Sequence, residues 1–265
     1  MKRLIYLVVS AIFLLVQLEV FAAPVNLPQG VKGKEGVFLN EKIAGVVDVS
    51  GSVLYDNFSR KIKSGGDSGK IDANFYGGQV GLTFSDRFDF YALFGGLSDA
   101  ELKNSDLGSD VTFEFEDKLM WGLGLSAIIH EWEDSGIQIF GDGNYRQSRN
   151  ISVDAIVIDG VRYTKDQFTP GSSIEAKWDE WQVALGISKK FDYFIPYVGV
   201  KYSDIKTSAK ATVSGTSYQS DAAKSKGKVG PFIGVSILPM KGVSIDLGGR
   251  FVDETAFSAK ATIRF

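Results

Sequence analysis

The chain of 265 residues contains no cysteine, one histidine (His130) and six prolines. Without cysteine there is no disulfide framework and no thiolate metal site. One histidine leaves a zinc site short of ligands, and no phosphate-binding loop or dinucleotide fingerprint is present. After Pro24 no stretch approaches the 18 or so uninterrupted apolar residues of a membrane helix, so a helical membrane protein is excluded. Charge of one sign is also lacking. The formal net charge is −3, with 29 basic and 32 acidic residues mixed along the chain, so there is no basic footprint for nucleic acid. No Pro-rich or Ser-rich linker and no exact repeat divides the chain.

What is abundant is glycine, at 30 residues, and aromatics, at 12%. The amino end has a distinct layout. Lys2 and Arg3 precede an apolar run from Leu4 to Val16, and Val20-Phe21-Ala22-Ala23 supplies small residues at a cleavage site. This is a secretory signal peptide, too short for a spanning helix. Cleavage after Ala22 puts Ala at −1 and Val at −3, whereas cleavage after Ala23 would put bulky Phe21 at −3. Removing residues 1–22 takes away Lys2, Arg3 and Glu19 and moves the net charge from −3 to −4. The segment 23–42 has little periodicity and is expected to be a periplasmic arm, with insertion into a lumen as the alternative.

Residues 43–265 read as period-two segments separated by turns. Val47, Val49, Gly51, Val53 and Tyr55 alternate with Asp48, Ser50, Ser52 and Leu54. Tyr76, Gly78, Val80, Leu82 and Phe84 alternate with Gly77, Gln79, Gly81 and Thr83. Similar segments follow around Trp121–Ile129, Ile137–Arg146, Trp181–Lys190, Tyr197–Ser203, Lys228–Ile237, Ser244–Phe251 and Phe257–Phe265. The stretch Phe88–Leu97 is apolar on both faces and cannot be oriented. About ten strands result, with 8–12 possible. Long polar connections near 58–69, 98–112, 147–172 and 204–223 alternate with short turns near 85–87, 131–135, 190–193 and 239–242. An even strand count with long loops at one end and short turns at the other describes an antiparallel up-and-down transmembrane β-barrel. Closure of such a barrel satisfies every backbone group in lipid. Both termini then lie in the periplasm.

Aromatics band at both ends of the strands. Phe84, Phe88, Trp132, Phe191, Tyr193 and Phe194 sit at the short-turn end. Tyr55, Phe58, Phe113, Phe115, Tyr145, Trp178, Trp181 and Tyr202 sit toward the long-loop end. Amphipathic rings prefer membrane–water interfaces, although aromatics also favour strands generally.

The last strand ends at Phe265, with Phe257, Ala259, Ala261 and Ile263 alternating before it. This resembles the terminal assembly signal of bacterial outer-membrane proteins. The resemblance implies that Phe257, Ile263 and Phe265 are read by the barrel assembly machinery after escort by periplasmic chaperones. In layout the mature chain resembles opacity-type and porin-type barrels of the Gram-negative cell envelope. Gly81 to Gly96 looks like the turn and strand seen in such proteins. The implied location is the outer membrane, with its lipids as partners.

The polar alternation nominates an interior set: Asp48, Gln79, Asp142, Arg146, Glu180, Gln182, Lys201, Lys226, Lys228, Asp246, Arg250, Lys260 and Arg264. Two readings stand. Either these residues form a salt-bridged filling, since about eight strands leave an interior that side chains can fill and about ten leave little more, or they line a narrow, anion-leaning pore. A structural or surface-interaction role goes with the first and a small porin-like channel with the second. No enzyme, cofactor or metal is expected. Omptin proteases and lipid A deacylases resemble the chain in size or topology, but their histidine-dependent sites lie at the extracellular end. His130 is expected at the periplasmic end.

Overall fold

In the computed structural model the described residues are 24–33, 36–37, 47–64, 67–104, 110–168, 171–213, 216–219, 224–225, 227–252 and 254–265. The signal peptide, much of the 23–42 segment and Lys226 fall outside them. Fourteen strands, one α-helical turn and two 3-10 turns, Glu133–Ser135 and Lys165–Gln167, are described. The helical turn, α1, spans Gln29–Lys32. In order along the chain, the first seven strands are β1 (Val47–Ser64), β2 (Asp67–Phe84), β3 (Phe88–Asn104), β4 (Val111–Phe115), β5 (Lys118–Trp132), β6 (Ile137–Ile158) and β7 (Val161–Thr164). The second seven are β8 (Ser173–Lys189), β9 (Phe194–Val213), β10 (Thr216–Gln219), β11 (Lys224–Ser225), β12 (Val229–Met240), β13 (Val243–Arg250) and β14 (Thr255–Arg264). Among the described residues no helix is long and apolar enough to cross a membrane.

The strands close on themselves. The ring runs β1, β2, β3, β5, β6, β8, β9, β12, β13, β14 and back to β1, each pair antiparallel. Closure is made by β14 against β1, from Ser50↔Arg264 to Ser59↔Thr255. The ten-stranded barrel expected from the alternation is the observed fold.

The alternation has the physical sense required in lipid. Val53, Val80, Leu82, Leu123, Leu185, Val200 and Ile233 point outward and are exposed, while Asp48, Gln79, Asp142, Glu180, Gln182 and Asp246 point inward and are buried. Close packing inside uses missing side chains: the Tyr91 and Tyr197 rings lie where a side chain at Gly124 or Gly234 would otherwise stand.

The strands are longer than a bilayer requires. A tilted transmembrane strand needs about 9–11 residues. β14 matches that at 10 residues and β13 falls just short at 8, but β1 and β2 have 18 each, β6 has 22 and β9 has 20. The extra residues are the segments expected to be long loops, and this corrects that reading. They remain paired, and the barrel wall stands well beyond the lipid band on the β1-to-β9 side. β4 continues this wall between β3 and β6. β7 and β10 fold back on β6 and β9, and β11 pairs with β1.

In the projecting wall the sense of the alternation inverts. Phe58, Ile71, Ala73, Phe75, Ala100, Leu102, Phe113, Ile151, Val153, Ile174, Ala176, Trp178 and Ile205 face inward and pack as one apolar core. Outward stand Lys70, Asp72, Lys103, Glu101, Arg149 and Asp179, paired with one another. Phe58, Phe113, Phe115 and Trp178 therefore belong in or against this core rather than in an aromatic girdle. The outer girdle is made by Tyr55 against Tyr76, Trp121 against Tyr145, and Trp181 stacked on Tyr202. The inversion also resolves β3: Leu93 and Leu97 are buried in the core, whereas Phe90 and Phe94 face out.

Candidate functional site

The lumen has three layers, and each is set by where the inward positions of successive strands fall. The lowest lies near the short turns. Gln29 donates its backbone N–H to Asp89 Oδ2 at 2.6 Å, and Ser126 Oγ donates to the same oxygen at 3.2 Å. Lys32 Nζ pairs with Asp246 at 2.7 Å, and Lys260 Nζ reaches Asn26 Oδ1 at 2.6 Å. Arg264 pairs with Asp48 at 2.5 Å and Asp86 at 2.7 Å, and it also donates to the Gly33 carbonyl. Tyr91 Oη donates to Asp142 Oδ1 at 2.8 Å, and Asn144 donates to the other oxygen at 3.2 Å.

Residues 24–33 thus lie inside the barrel. The alternative named for this segment, insertion into the lumen, is the arrangement seen for them, and the arm reading is corrected there. Leu27 and Val31 are buried against Ile128, Phe140, Ile195, Tyr197 and Phe232. Gly30 passes so close to the 85–87 turn that a side chain there would strike the Asp86 carbonyl. Apolar residues at Leu27 and Val31, with a lysine at the short-turn end of α1, make the segment a plug: its apolar side meets the socket and its charge meets Asp246.

The middle layer is a fully buried charge network. Arg250 donates to Asp56 Oδ1 at 2.7 Å and to Glu254 Oε1 at 2.6 Å. Lys201 pairs with the same Glu254 oxygen at 2.9 Å. Arg146 donates through Nη2 and Nε to Glu180 Oε2, at 2.9 and 3.2 Å, and its Nη1 lies 3.8 Å from Asp56. Arg60 Nη2 donates to the Gly227 carbonyl at 2.5 Å. Burying ions is costly unless each is paired, and here each cation faces a carboxylate or a carbonyl. The Arg146 guanidinium also lies over the Phe75 ring, 5.9 Å from its centroid. Phe75 belongs to the third layer, the apolar core of the projecting wall.

Of the interior residues expected from sequence, Asp142, Arg146, Glu180, Lys201, Asp246, Arg250, Lys260, Asp48 and Arg264 enter these networks, and Gln79 and Gln182 are buried beside them. Lys228 does not. Its ammonium pairs with Asp204 at 2.8 Å and lies over the Tyr202 ring, beside Trp181 on the outer surface. The strand β12 starts only at Val229, so the alternation carried back to 228 has no strand to hold it. Residues missed were Asp56, Arg60, Glu254, Asp89 and the plug's Lys32. Asp56 and Arg60 continue the even-numbered set of Asp48 on β1. Glu254 lies in a turn and Lys32 in the plug, where no period exists to read.

Phe257, Ile263 and Phe265 are exposed on the lipid side of β14 and the chain end. His130 is exposed at the short-turn end, its ring edge-on to Trp132 at 4.4 Å.

The fold and lumen define an antiparallel transmembrane β-barrel with a filled interior. No family model matches the chain, and no curated protein matches it. Solved structures that resemble it include outer-membrane proteins. The outer membrane protease OmpT of Escherichia coli shares 8% identity at a TM-score of 0.46, covering 83% of this chain and 95% of that one. The translocator domain of the autotransporter NalP of Neisseria meningitidis shares 10% at 0.44, covering 83% and 88%. The outer membrane protein OprG of Pseudomonas aeruginosa shares 13% at 0.39, covering 85% and 97%.

Proposed function

We propose that this protein is a non-conducting barrel of the bacterial outer membrane, whose role is structural or lies in contacts made by its projecting rim. The apolar core above the charge network carries this reading. An ion crossing the barrel must leave water both in the buried salt-bridge layer and among Phe58, Phe75, Phe113 and Trp178. Each step is an uncompensated desolvation. The plug adds a third barrier at the periplasmic mouth. A narrow channel is the rival reading, and planar-bilayer recording decides between them. The expected trace shows no unitary steps above the bare bilayer, and regular single-channel steps overturn the proposal. The rim offers a rigid surface whose charges are largely paired with each other: Arg162 with Glu114 and Asp154, Lys165 with Glu116, and Arg149 with Asp179.

Delivery belongs to the same proposal. Export by the leader, escort by periplasmic chaperones and insertion by the assembly machinery make outer-membrane lipid the partner of the apolar belt. Phe265, whose backbone N–H donates to the Val49 carbonyl at 2.8 Å, is at once the terminal signal residue and part of the closing seam. Phe265→Ala is expected to lower the yield of folded, heat-modifiable protein in the outer membrane while leaving export intact. Unchanged yield removes the assembly role.

A further inference from the structure

The two flanks of the barrel meet the bilayer edge opposite the short turns in different ways. On the tall flank that edge is marked by rings with polar tips, Tyr55 with Tyr76, Trp121 with Tyr145 and Trp181 with Tyr202, as membrane interfaces favour. From β12 to the chain end there is no tyrosine or tryptophan. Val229, Phe251, Val252 and Phe257 stand exposed on this flank instead. Val252, in the β13–β14 turn, is the most exposed large apolar side chain among the described residues, at 84%, and its φ is 78°. A β-branched residue is strained at that φ, and an apolar side chain standing in water adds nothing to the fold. The strain is held from inside the barrel. Glu254, at the end of the same turn, is fully buried and pairs with Arg250 at 2.6 Å and with Lys201 at 2.9 Å. At the start of the turn Phe251 donates its backbone N–H to the Pro231 carbonyl at 3.1 Å, and its ring lies against Gly249 on the outward row of β13.

β13 is too short to cross the bilayer alone. It has 8 residues and follows directly on the Lys241–Gly242 turn, where Lys241 is exposed. At about 3.3 Å per residue and a tilt of about 40°, it rises roughly 20 Å through an apolar band about 25 Å tall. Phe251 and Val252 add roughly the missing 5 Å by the same geometry. A strand that falls short otherwise thins the bilayer around it. We infer that the Phe251–Val252 turn is a lipid anchor: it is immersed among the acyl chains of the adjoining leaflet, completes the apolar span of the short flank, and is held in its strained conformation by Glu254. Continuity with the lipid belt supports this occupant. Ile245, Gly249 and Phe251 follow one another on the outward face of β13, and Phe257 faces Gly249 from β14. The depth is that of the band's edge, because the next residue in sequence is an aspartate, which is costly deeper in hydrocarbon. The barrel thus stands in lipid to the tips of its strands on one flank and projects into water on the other, whether or not its lumen conducts.

The chain has no cysteine, so Val252→Cys places a single thiol in the turn. An environment-sensitive fluorophore on that thiol is read in phosphatidylcholine vesicles, with spin-labelled acyl chains as the lipid-side quencher and iodide as the aqueous one. Leu185→Cys on the lipid face of β8 and Lys177→Cys on the water-facing side of the projecting wall are the references. Heat-modifiable migration establishes that each variant has folded. Emission from position 252 is expected to be blue-shifted relative to position 177, with quenching several-fold stronger by the spin-labelled lipid and several-fold weaker by iodide. Emission that matches position 177 puts the turn in water and overturns the inference. Protection from both quenchers puts a protein surface over the turn and overturns it as well. Because a bulky fluorophore can itself draw an exposed turn into lipid, Val252→Gly gives a label-free check. Glycine relieves the strain at φ 78° in any solvent, but it removes an apolar contact only where lipid supplies one. The urea midpoint of Val252→Gly relative to the parent is therefore expected to fall on going from short-chain to long-chain phosphatidylcholine vesicles, where the missing span matters most. A relative midpoint that is the same in both overturns the anchor.

Discussion

The lipid-spanning and projecting parts of this barrel share their strands and invert their chemistry. On β8, Val183, Leu185 and Ile187 face out and Gln182 and Glu180 face in. A few residues earlier on the same strand Lys177 and Asp179 face out, and Ile174, Ala176 and Trp178 face in. Period-two geometry is constant along the strand, so only the solvent outside has changed. Where hydrocarbon lies outside, the apolar set must face it, and the polar set is left to pair within the lumen. Where water lies outside, the same barrel behaves as a soluble β-protein and buries its apolar set. The Arg146–Phe75 contact marks the height at which one regime gives way to the other.

The largest effect is expected where the lower regime is most demanding. Arg250 neutralises Asp56 and Glu254 in a layer closed to water. Arg250→Leu leaves both carboxylates short of a buried cation and should destabilise the barrel by about 3–5 kcal/mol. Urea unfolding in lipid vesicles measures it. A loss below about 1 kcal/mol would mean that water reaches this layer, and with it the sealed lumen would fall.

An effect of similar size but different extent is expected in the upper regime. Phe113 is fully buried in the projecting core, and Phe113→Ala should cost about 3–5 kcal/mol in lost transfer and cavity terms. The damage should stay local. Protease is expected to cut the projecting hairpins of the variant while the lipid-spanning strands still give heat-modifiable migration. Cooperative loss of the whole barrel would show that the two parts are one folding unit, and the contrast drawn here would lose its energetic meaning.

This contrast also explains what could be read from sequence. The register of the lipid-spanning strands other than β3 is legible because one rule, apolar outward, applies to them, and it holds at Leu185, Val53 and Ile233. The projecting parts carry the same period with the opposite sense, so a row such as Asp99–Leu102 reads as a polar loop with stray apolar residues. The expected aromatic girdle is overfilled for the same reason, since Phe58, Phe113 and Trp178 lie beyond the lipid-spanning part of the wall and point inward. Glu254 and the plug were out of reach of any periodic argument. Glu254 gains its role from a turn that folds over Arg250 and Lys201, and residues 24–33 gain theirs from a socket built by strands more than 90 residues away in sequence, such as β5 at Ile128 and β9 at Ile195.

A matched pair of surface substitutions sharpens the boundary between the two regimes. Leu185 lies exposed on the lipid side of β8 and Lys177 on the outward side of the projecting part. Leu185→Arg should destabilise by about 2–4 kcal/mol near the bilayer midplane. Lys177→Leu, changing polarity in the opposite sense on a water-facing surface, should stay within about 0.5 kcal/mol. Equal effects at the two sites, read by urea titration in vesicles, would place both in the same solvent and move the membrane boundary.

The smallest effect tests whether the projecting rim lies in water at all. Lys165 donates to Glu116 Oε1 at 2.7 Å, and this hydrogen bond, with the ammonium charge, holds the Glu116 carboxyl below its ordinary value of 4.5. A depressed carboxylate stabilises the fold above its unfolded value, and that contribution disappears as pH falls through the folded one. Both side chains are more than a third solvent-exposed, so screening keeps the contribution under about 1 kcal/mol. Lys165→Ala should therefore lower stability by a few tenths of a kcal/mol at pH 7, and the difference from the parent should vanish by about pH 3, where Glu116 is protonated in both states. Added salt near 1 M should shrink the pH 7 difference as well, because the Debye length there is about 3 Å. A difference of several kcal/mol that persists in high salt would put this pair in a dry environment, where removing one partner strands a charge, and the rim would then be buried in lipid or in another protein rather than standing free in water.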